Sequence, residues 1–163
     1  MEILTYGNEL LRQKAEKITN IDDALRDTIG YMLEALRVGK GIGLAGPQVG
    51  LMKRIFVAQV DGDMPRIFIN PSIIETSHDT VRMEEGCLSI PGIYADVVRS
   101  KFVKVQAWND RGKPFTLETS GILARVILHE YDHLEGILFL DRLSQAKRER
   151  LAAKFEKQVK AKA

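Results

Sequence analysis

Two stretches of the chain repeat apolar residues at the spacing of an α-helix. Residues 22–38 place five of them on one face: Leu25, Ile29, Met32, Leu33 and Leu36. Residues 120–136 repeat the pattern between a capping residue, Ser120, and a helix-ending residue, Gly136, with Ile122, Leu123, Val126, Ile127 and Leu134. The pattern predicts two main helices, and a shorter helix is expected over residues 9–16, after Asn8.

Short strands are predicted between these helices. Residues 102–108 alternate apolar and polar side chains, and after a turn the alternation resumes over residues 115–119. Further strands are predicted at 54–60, 66–70 and 137–140. Helices that bracket runs of short strands are typical of an α+β fold, so we expect mixed or antiparallel β-sheets packed around the central helix at 120–136.

The end of the chain is basic. The 163 residues carry a net charge of +2, but residues 144–163 hold seven Lys or Arg and two Glu, a net of +5, which leaves −3 for the rest. This segment is predicted to be a C-terminal helix that begins after Ser144 and docks through Leu151 and Phe155, which share one face. The plain interpretation is a solvated helix, and the alternative is attraction to a polyanionic surface.

Length and composition indicate one globular domain over residues 1–163. The chain is 45% hydrophobic and 28% charged, as is ordinary for a globular protein. It has no apolar run of membrane-spanning length and no secretory signal at its start, so we expect a cytoplasmic protein with no membrane partner.

The pentapeptide His129-Glu130-Tyr131-Asp132-His133 lies in the second predicted helix. Residues four apart share one helix face, so both imidazoles can bind the same metal ion. Glu130 is placed to take a proton from a water molecule at that ion. This spacing is typical of metal-assisted hydrolysis of an amide-like bond, while the alternative is a surface helix with two solvated His.

A catalytic metal site needs a third protein ligand. His78 lies in a polar stretch and is interpreted as a solvated loop residue, and no His follows His133. Cys87 is the only Cys, which fits a reducing compartment. It is the remaining candidate, although a small buried apolar side chain is the alternative for such a residue.

Three segments, in this order, resemble the peptide deformylases. They are the glycine-rich segment 41–48, which ends in Pro-Gln, the segment Glu85-Gly86-Cys87-Leu88-Ser89, and the segment His129-Glu130-Tyr131-Asp132-His133-Leu134. The resemblance extends from the start of the chain to about residue 143. It implies a metal-dependent hydrolase that removes the N-formyl group from the N-terminal formyl-methionine of new bacterial polypeptides and releases formate.

The resemblance also implies a role for each matching residue. Cys87, His129 and His133 would hold one divalent metal ion, natively Fe2+, with Ni2+, Co2+ or Zn2+ able to occupy the site. Glu130 would be the acid and base, while Gln48 and the backbone N–H of Leu88 would bind the formyl oxygen. The basic C-terminal helix would then suit attraction to the ribosome, where the substrate emerges.

The substrate needs an apolar slot for its methionine side chain. The candidate lining residues are Ile42, Met83, Ile122 and Val126, and the backbone of Gly43 is placed to pair with the substrate peptide. Tyr94 is a candidate rim contact. Arg99 is predicted to pair with Glu85 and so hold the Cys87 loop.

Two positions depart from the family pattern. Members commonly have Ala or a similar small residue where Gly46 stands, and many have Gln where Leu128 stands. Neither position is a predicted metal ligand or catalytic group, so we expect an effect on efficiency rather than on the reaction.

Two other functions are open on the residues alone. A zinc endopeptidase with the same pentapeptide would cleave internal peptide bonds and would not need Cys87. A metal-stabilised scaffold that docks on the ribosome through its basic helix would have a filled fourth ligand position and no turnover.

Overall fold

A computed structural model describes residues 1–162 and contains three α-helices and seven β-strands within that range. The helices are α1 (Asp23–Gly39), α2 (Gly121–Leu134) and α3 (Gln145–Lys162). The strands are β1 (Gly43–Ala45), β2 (Ile55–Ala58), β3 (Arg66–Thr76), β4 (Thr80–Cys87), β5 (Ile90–Ser100), β6 (Phe102–Trp108) and β7 (Pro114–Ser120). Short 3-10 helices lie at Glu9–Arg12, Gly46–Val49 and Phe139–Arg142.

The strands form two antiparallel sheets. Five strands pair in the order β1-β2-β3-β6-β7, and β4 pairs with β5 as a separate hairpin. Helix α2 packs on β1, β2, β6 and β7 and also touches β5. The predicted α+β fold, with antiparallel sheets around a central helix, is therefore confirmed.

The core beneath α2 joins the helix to the five-stranded sheet. Phe56 and Phe68 stack there with their ring centroids 4.7 Å apart, and both are fully buried. Ala124 and Ile127 of α2 belong to the same cluster of buried side chains. Burial of the apolar face of α2 removes that face from water and so fixes the rotation of the helix about its axis. The direction of the opposite helix face is thereby also fixed.

Helix α1 agrees with its prediction to within one residue. The Asp22 side chain caps it by accepting a hydrogen bond from the Leu25 N–H at 2.9 Å. Its apolar face buries Ile29, Met32 and Leu36. The helix ends at Gly39, and the following residue, Lys40, caps it in the left-handed conformation with φ 57°.

The C-terminal helix is docked as predicted. Leu151 and Phe155 are its buried residues, and they pack against the start of β5. The Tyr6 ring meets Phe155 edge-on at 5.7 Å between centroids. The last residue of the predicted segment, Ala163, lies outside the described residues.

Two predicted elements differ from the structure. The strand expected at 137–140 is wrong, because Phe139–Arg142 form a 3-10 helix in which the Asp141 carboxylate accepts from the Leu138 N–H at 2.9 Å. That run is apolar because it is buried, and not because it pairs with a strand. The helix expected at 9–16 shortens to Glu9–Arg12.

The β4–β5 hairpin was not predicted from the sequence. Its acidic residues and its Gly and Pro obscure the alternation that marks a strand. The two strands pair from Thr80↔Ser100 to Cys87↔Ile90, with an irregularity between Glu85 and Cys87. Within residues 1–162, no helix combines the length and apolarity needed to cross a bilayer.

Candidate metal centre

Helix α2 aims its pentapeptide into the protein. His129, Glu130 and His133 are buried, and the two imidazole centroids lie 5.2 Å apart. The opposite face of α2 is occupied by the core cluster, so the His face is directed toward the β4–β5 hairpin.

Cys87 reaches the same point from the end of β4. Its Sγ lies 3.4 Å from His133 Nε2, and the ligand atoms of Cys87, His129 and His133 all lie within 4.8 Å of one another. Such a spacing suits one ion with a thiolate and two imidazoles around it. His78 is exposed in the turn between β3 and β4 and is not part of this cluster.

Glu85 fixes the orientation of His129. Its Oε1 lies 2.8 Å from His129 Nδ1, and because a carboxylate accepts hydrogen bonds, Nδ1 carries the proton and Nε2 is left free to bind a metal. The predicted pair is present, since Arg99 donates to both Glu85 oxygens at 2.6 and 3.0 Å. Although burial raises it, the hydrogen bonds from His129 and Arg99 lower the pKa of Glu85 to about 2.

Arg125 and Asp132, both on α2, extend this ion-pair network. Arg125 Nη1 donates to Glu85 Oε2 at 2.6 Å and to the Val97 carbonyl at 2.9 Å. Asp132 accepts from Arg99 at 2.9 Å and from Arg142 at 2.7 Å. The helix that carries both His residues and the hairpin that carries Cys87 are therefore joined by charge-assisted hydrogen bonds.

The polar atoms of α2 also fit a bound ion. Burial and the neighbouring His129 lower the pKa of His133 well below its ordinary value, which favours the neutral ring that metal ligation requires. Glu130 Oε1 is buried without a hydrogen-bond partner among the described residues. Burial also raises the pKa of Glu130 to about 7, which is the range of a useful general base.

Gln48 lies on the other side of the cluster, in the 3-10 turn Gly46–Val49. Its Nε2 is 3.4 Å from Cys87 Sγ and 3.0 Å from Ser89 Oγ, and its Oε1 accepts from the Ala45 N–H at 2.9 Å. Leu88 follows Cys87 in the turn between β4 and β5. The structure thus brings Gln48 and Leu88 to the cluster from two separate loops.

A cavity of about 550 Å³ opens beside the cluster. All five predicted pocket residues line it, namely Ile42, Gly43, Met83, Ile122 and Val126. Tyr94, Arg125 and Glu130 also line this cavity. A Cβ at Gly43 would lie 2.5 Å from Glu130 Oε2, so only glycine lets the β1 backbone approach this carboxylate.

The two departures from the family pattern have different surroundings. A Cβ at Gly46 would lie 2.6 Å from the Leu51 carbonyl oxygen, so the turn that carries Gln48 is packed too tightly here for Ala. Gly46 therefore allows a tighter turn than Ala would. Leu128 is half-buried and packs against the core cluster beneath α2.

Comparison with known proteins is decisive for the family. The polypeptide deformylase pattern matches residues 1–149. A peptide deformylase from Borreliella burgdorferi is 46% identical over 165 residues, covering 99% of this chain and 100% of that protein.

The chain belongs to the polypeptide deformylase family. Solved members share its fold: the enzyme from Legionella pneumophila superposes with a TM-score of 0.93 at 37% identity, covering 99% of this chain and 96% of that one. The enzyme from Synechococcus elongatus, solved in complex with actinonin, gives 0.91 at 41% identity and covers 94% of this chain and 86% of that one. As a deformylase, the protein is a metal-dependent hydrolase that removes the N-formyl group from nascent polypeptides.

Sequence reasoning missed three residues that support the deformylase site. Arg125 lies four residues before His129 on the same helix face, a spacing that could have indicated it. Asp132 stands inside the pentapeptide but was not assigned a role. Ser89 contacts Gln48 only through the fold, and no local pattern indicated that contact.

The Glu85 carboxylate can be tested by a neutral replacement. We expect Glu85→Gln to weaken metal binding by about 10- to 100-fold, because His129 Nδ1 and Arg99 lose a charged partner. Metal competition with a chelator measures this change. Glu118→Gln, at an exposed position on β7, is the matched control. Unchanged metal affinity in Glu85→Gln would contradict the role given to this network.

Proposed function

We propose that Cys87, His129 and His133 hold one divalent ion, natively Fe2+, and that this site deformylates N-formyl-methionyl nascent peptides. Residues 1–163 then act as a single catalytic domain in the cytoplasm, where such chains emerge. A bound ion would supply Lewis acidity at the point where the three ligand atoms converge. The chain's own residues provide the remaining chemistry.

Glu130 is the proposed acid and base. It is adjacent to a ligand on α2, its Oε1 lacks a partner, and burial raises its pKa to about 7. It can therefore take the proton from the attacking water and later deliver it to the leaving amine.

Gln48 and Leu88 are the proposed donors to the formyl oxygen. Acyl transfer places negative charge on that oxygen in the transition state, and fixed N–H donors lower the energy of that state. The amide of Gln48 is buried and hydrogen-bonded, so it does not need to reorganise when the charge develops.

The cavity suits an extended peptide that begins with methionine. Ile42, Met83, Ile122 and Val126 provide the apolar slot for the side chain. Strand β1 is an edge strand of the five-stranded sheet, and within the described residues β4 pairs with a strand on one side only. A substrate strand lying between them could pair its backbone with that of Gly43.

The observation that carries this proposal is the convergence of Cys87 with the two His residues beside a buried, unpartnered Glu130 carboxylate oxygen. It disfavours the endopeptidase, for which Cys87 has no use and which takes a ligand from further along the chain. Glu135, one candidate for such a ligand, instead pairs with Arg54 at 3.0 Å. Among residues 1–162, no fourth His, Cys or carboxylate completes the cluster, which disfavours the scaffold.

Replacing Glu130 tests the reaction directly. We expect Glu130→Gln to lower formate release from formyl-Met-Ala-Ser by about 10³-fold, because the proton transfer loses its base, while metal content stays unchanged. Formate is measured by a coupled dehydrogenase assay. Glu75→Gln on β3 is the exposed control. Cleavage of internal peptide bonds by the unaltered protein, or full activity in Glu130→Gln, would contradict the proposal.

The native metal can be tested by purification without oxygen. A site with one thiolate and two imidazoles accepts Fe2+, and the thiolate makes it sensitive to oxidation. We expect about one iron per chain by elemental analysis, with formate release lost after exposure to air. Stoichiometric zinc and full activity in the anaerobic protein would contradict the assignment of iron.

The ribosome is the second proposed partner, through α3. Lys147, Arg150, Lys154, Lys157 and Lys160 are exposed on this helix. They can attract ribosomal RNA while Leu151 and Phe155 hold the helix on the domain.

Charge reversal on α3 tests this attraction. We expect Lys154→Glu with Lys157→Glu to weaken co-sedimentation with ribosomes by about tenfold at low salt, with no change in formate release from a free peptide. Lys101→Glu with Lys113→Glu makes the same charge change away from α3. Equal loss of binding in both pairs would show that net charge, and not α3, is responsible.

A further inference from the structure

We infer that Ser89 is a positioning residue that holds the Gln48 amide with one N–H directed at the reacting carbonyl oxygen. The inference rests on the proposed role of Gln48 as an oxyanion donor. Its basis is the set of three hydrogen bonds formed by the Gln48 side chain. Of the three partners, Ser89 Oγ is the one with no assigned function.

The orientation of the Gln48 amide is fixed by chemistry. The Ala45 backbone N–H can only donate, so the atom that it meets at 2.9 Å must be the amide oxygen. The amide nitrogen therefore faces the other way, toward Ser89 and Cys87. An exchange of the two ends would set the Ala45 N–H against the NH₂ group and leave a buried donor unpaired.

The amide nitrogen has two hydrogens, and Ser89 uses one of them. Its Oγ lies 3.0 Å from Nε2, whereas Cys87 Sγ lies at 3.4 Å. The two N–H bonds of a planar amide diverge at a fixed angle, so a hydrogen held on Ser89 sets the direction of the second. That second hydrogen points to the thiol edge of the metal site, where the formyl oxygen would lie.

Ser89 is itself held in place by the start of the chain. Its carbonyl oxygen accepts from the Tyr6 N–H at 2.8 Å, and the carbonyl of Gln48 accepts from the Leu4 N–H at 2.7 Å. The same short segment thus joins the two loops that carry the hydroxyl and the amide. The distance between them does not depend on the Gln48 side chain alone.

A purely structural role accounts poorly for a hydroxyl at this position. Ser89 is fully buried, next to Ile90 and its apolar cluster. Burial of a hydroxyl costs free energy unless it forms a hydrogen bond, and the side-chain partner of Oγ is Gln48. Ala would avoid that cost, so the hydroxyl is explained by what it does to the amide.

A double-mutant cycle tests the inference. Gln48→Ala should lower kcat for formate release by about 10²- to 10³-fold. Ser89→Ala should lower kcat by about tenfold, with KM changed less than about twofold, because the donor is misdirected in the transition state. In the Gln48→Ala background, Ser89→Ala should add less than about a twofold change.

Controls separate this result from a loss of folding and from failure of the proposed function. Ser77→Ala removes a hydroxyl in the distant β3–β4 turn that accepts from Phe102 N and donates to Asp79 O, so it should lower the melting temperature and leave kcat unchanged. The positioning role alone is overturned if Ser89→Ala lowers kcat equally in the wild-type and Gln48→Ala backgrounds. It is also overturned if Ser89→Ala leaves kcat unchanged while Gln48→Ala lowers it strongly. A Gln48→Ala enzyme with full kcat overturns the oxyanion role as well.

A measurement on the unaltered, zinc-loaded protein needs no variant. One Nε2 proton of Gln48 should exchange slowly with solvent and resonate outside the range of a free glutamine amide, since Ser89 Oγ holds it in a hydrogen bond of 3.0 Å. Two Nε2 protons with the shifts and rapid exchange of a free glutamine amide would overturn the inference.

Discussion

The Glu85 carboxylate is the group on which the site depends. It lies in the protein interior and accepts from His129 of α2, from Arg99 of β5 and from Arg125 of α2. A buried carboxylate that lost such partners would cost about 3–5 kcal/mol, so the arrangement is stable only when all three partner residues are in place. Formation of the ligand geometry and docking of the hairpin on the helix are therefore one event.

This dependence explains how a site forms from distant parts of the chain. The two imidazoles are set by helix geometry alone, since they are four residues apart on α2. The sulfur arrives from β4, and the ion pairs between hairpin and helix help to fix its approach. Gln48 arrives from a third segment, which the Leu4 N–H and the Ser89 hydroxyl hold in place.

The sequence predicted the local features and missed the ones made by tertiary contact. The limits of β6 and α1 followed from periodicity, as did the helix α2 that carries the pentapeptide. Cys87 was indicated by elimination and by family resemblance, since its nearness to α2 has no local signature. Residues 137–140 were misassigned because burial on all sides gives an apolar run in a 3-10 helix as it does in a strand. The spacing of Arg125 from His129 places both on one helix face, but the role of Arg125 follows only from Glu85, which lies opposite in the fold.

Arg125 has one further consequence, because it both lines the cavity and supports Glu85. A smaller side chain there would deepen the slot and admit bulkier first residues, yet it would also withdraw a cation from the carboxylate that orients His129. The Arg125 guanidinium therefore affects both the range of substrates and the affinity for the metal. A substitution at this position that widens the range of substrates would also weaken metal binding. A variant selected for a wider choice of peptides would therefore need a second substitution to keep its metal.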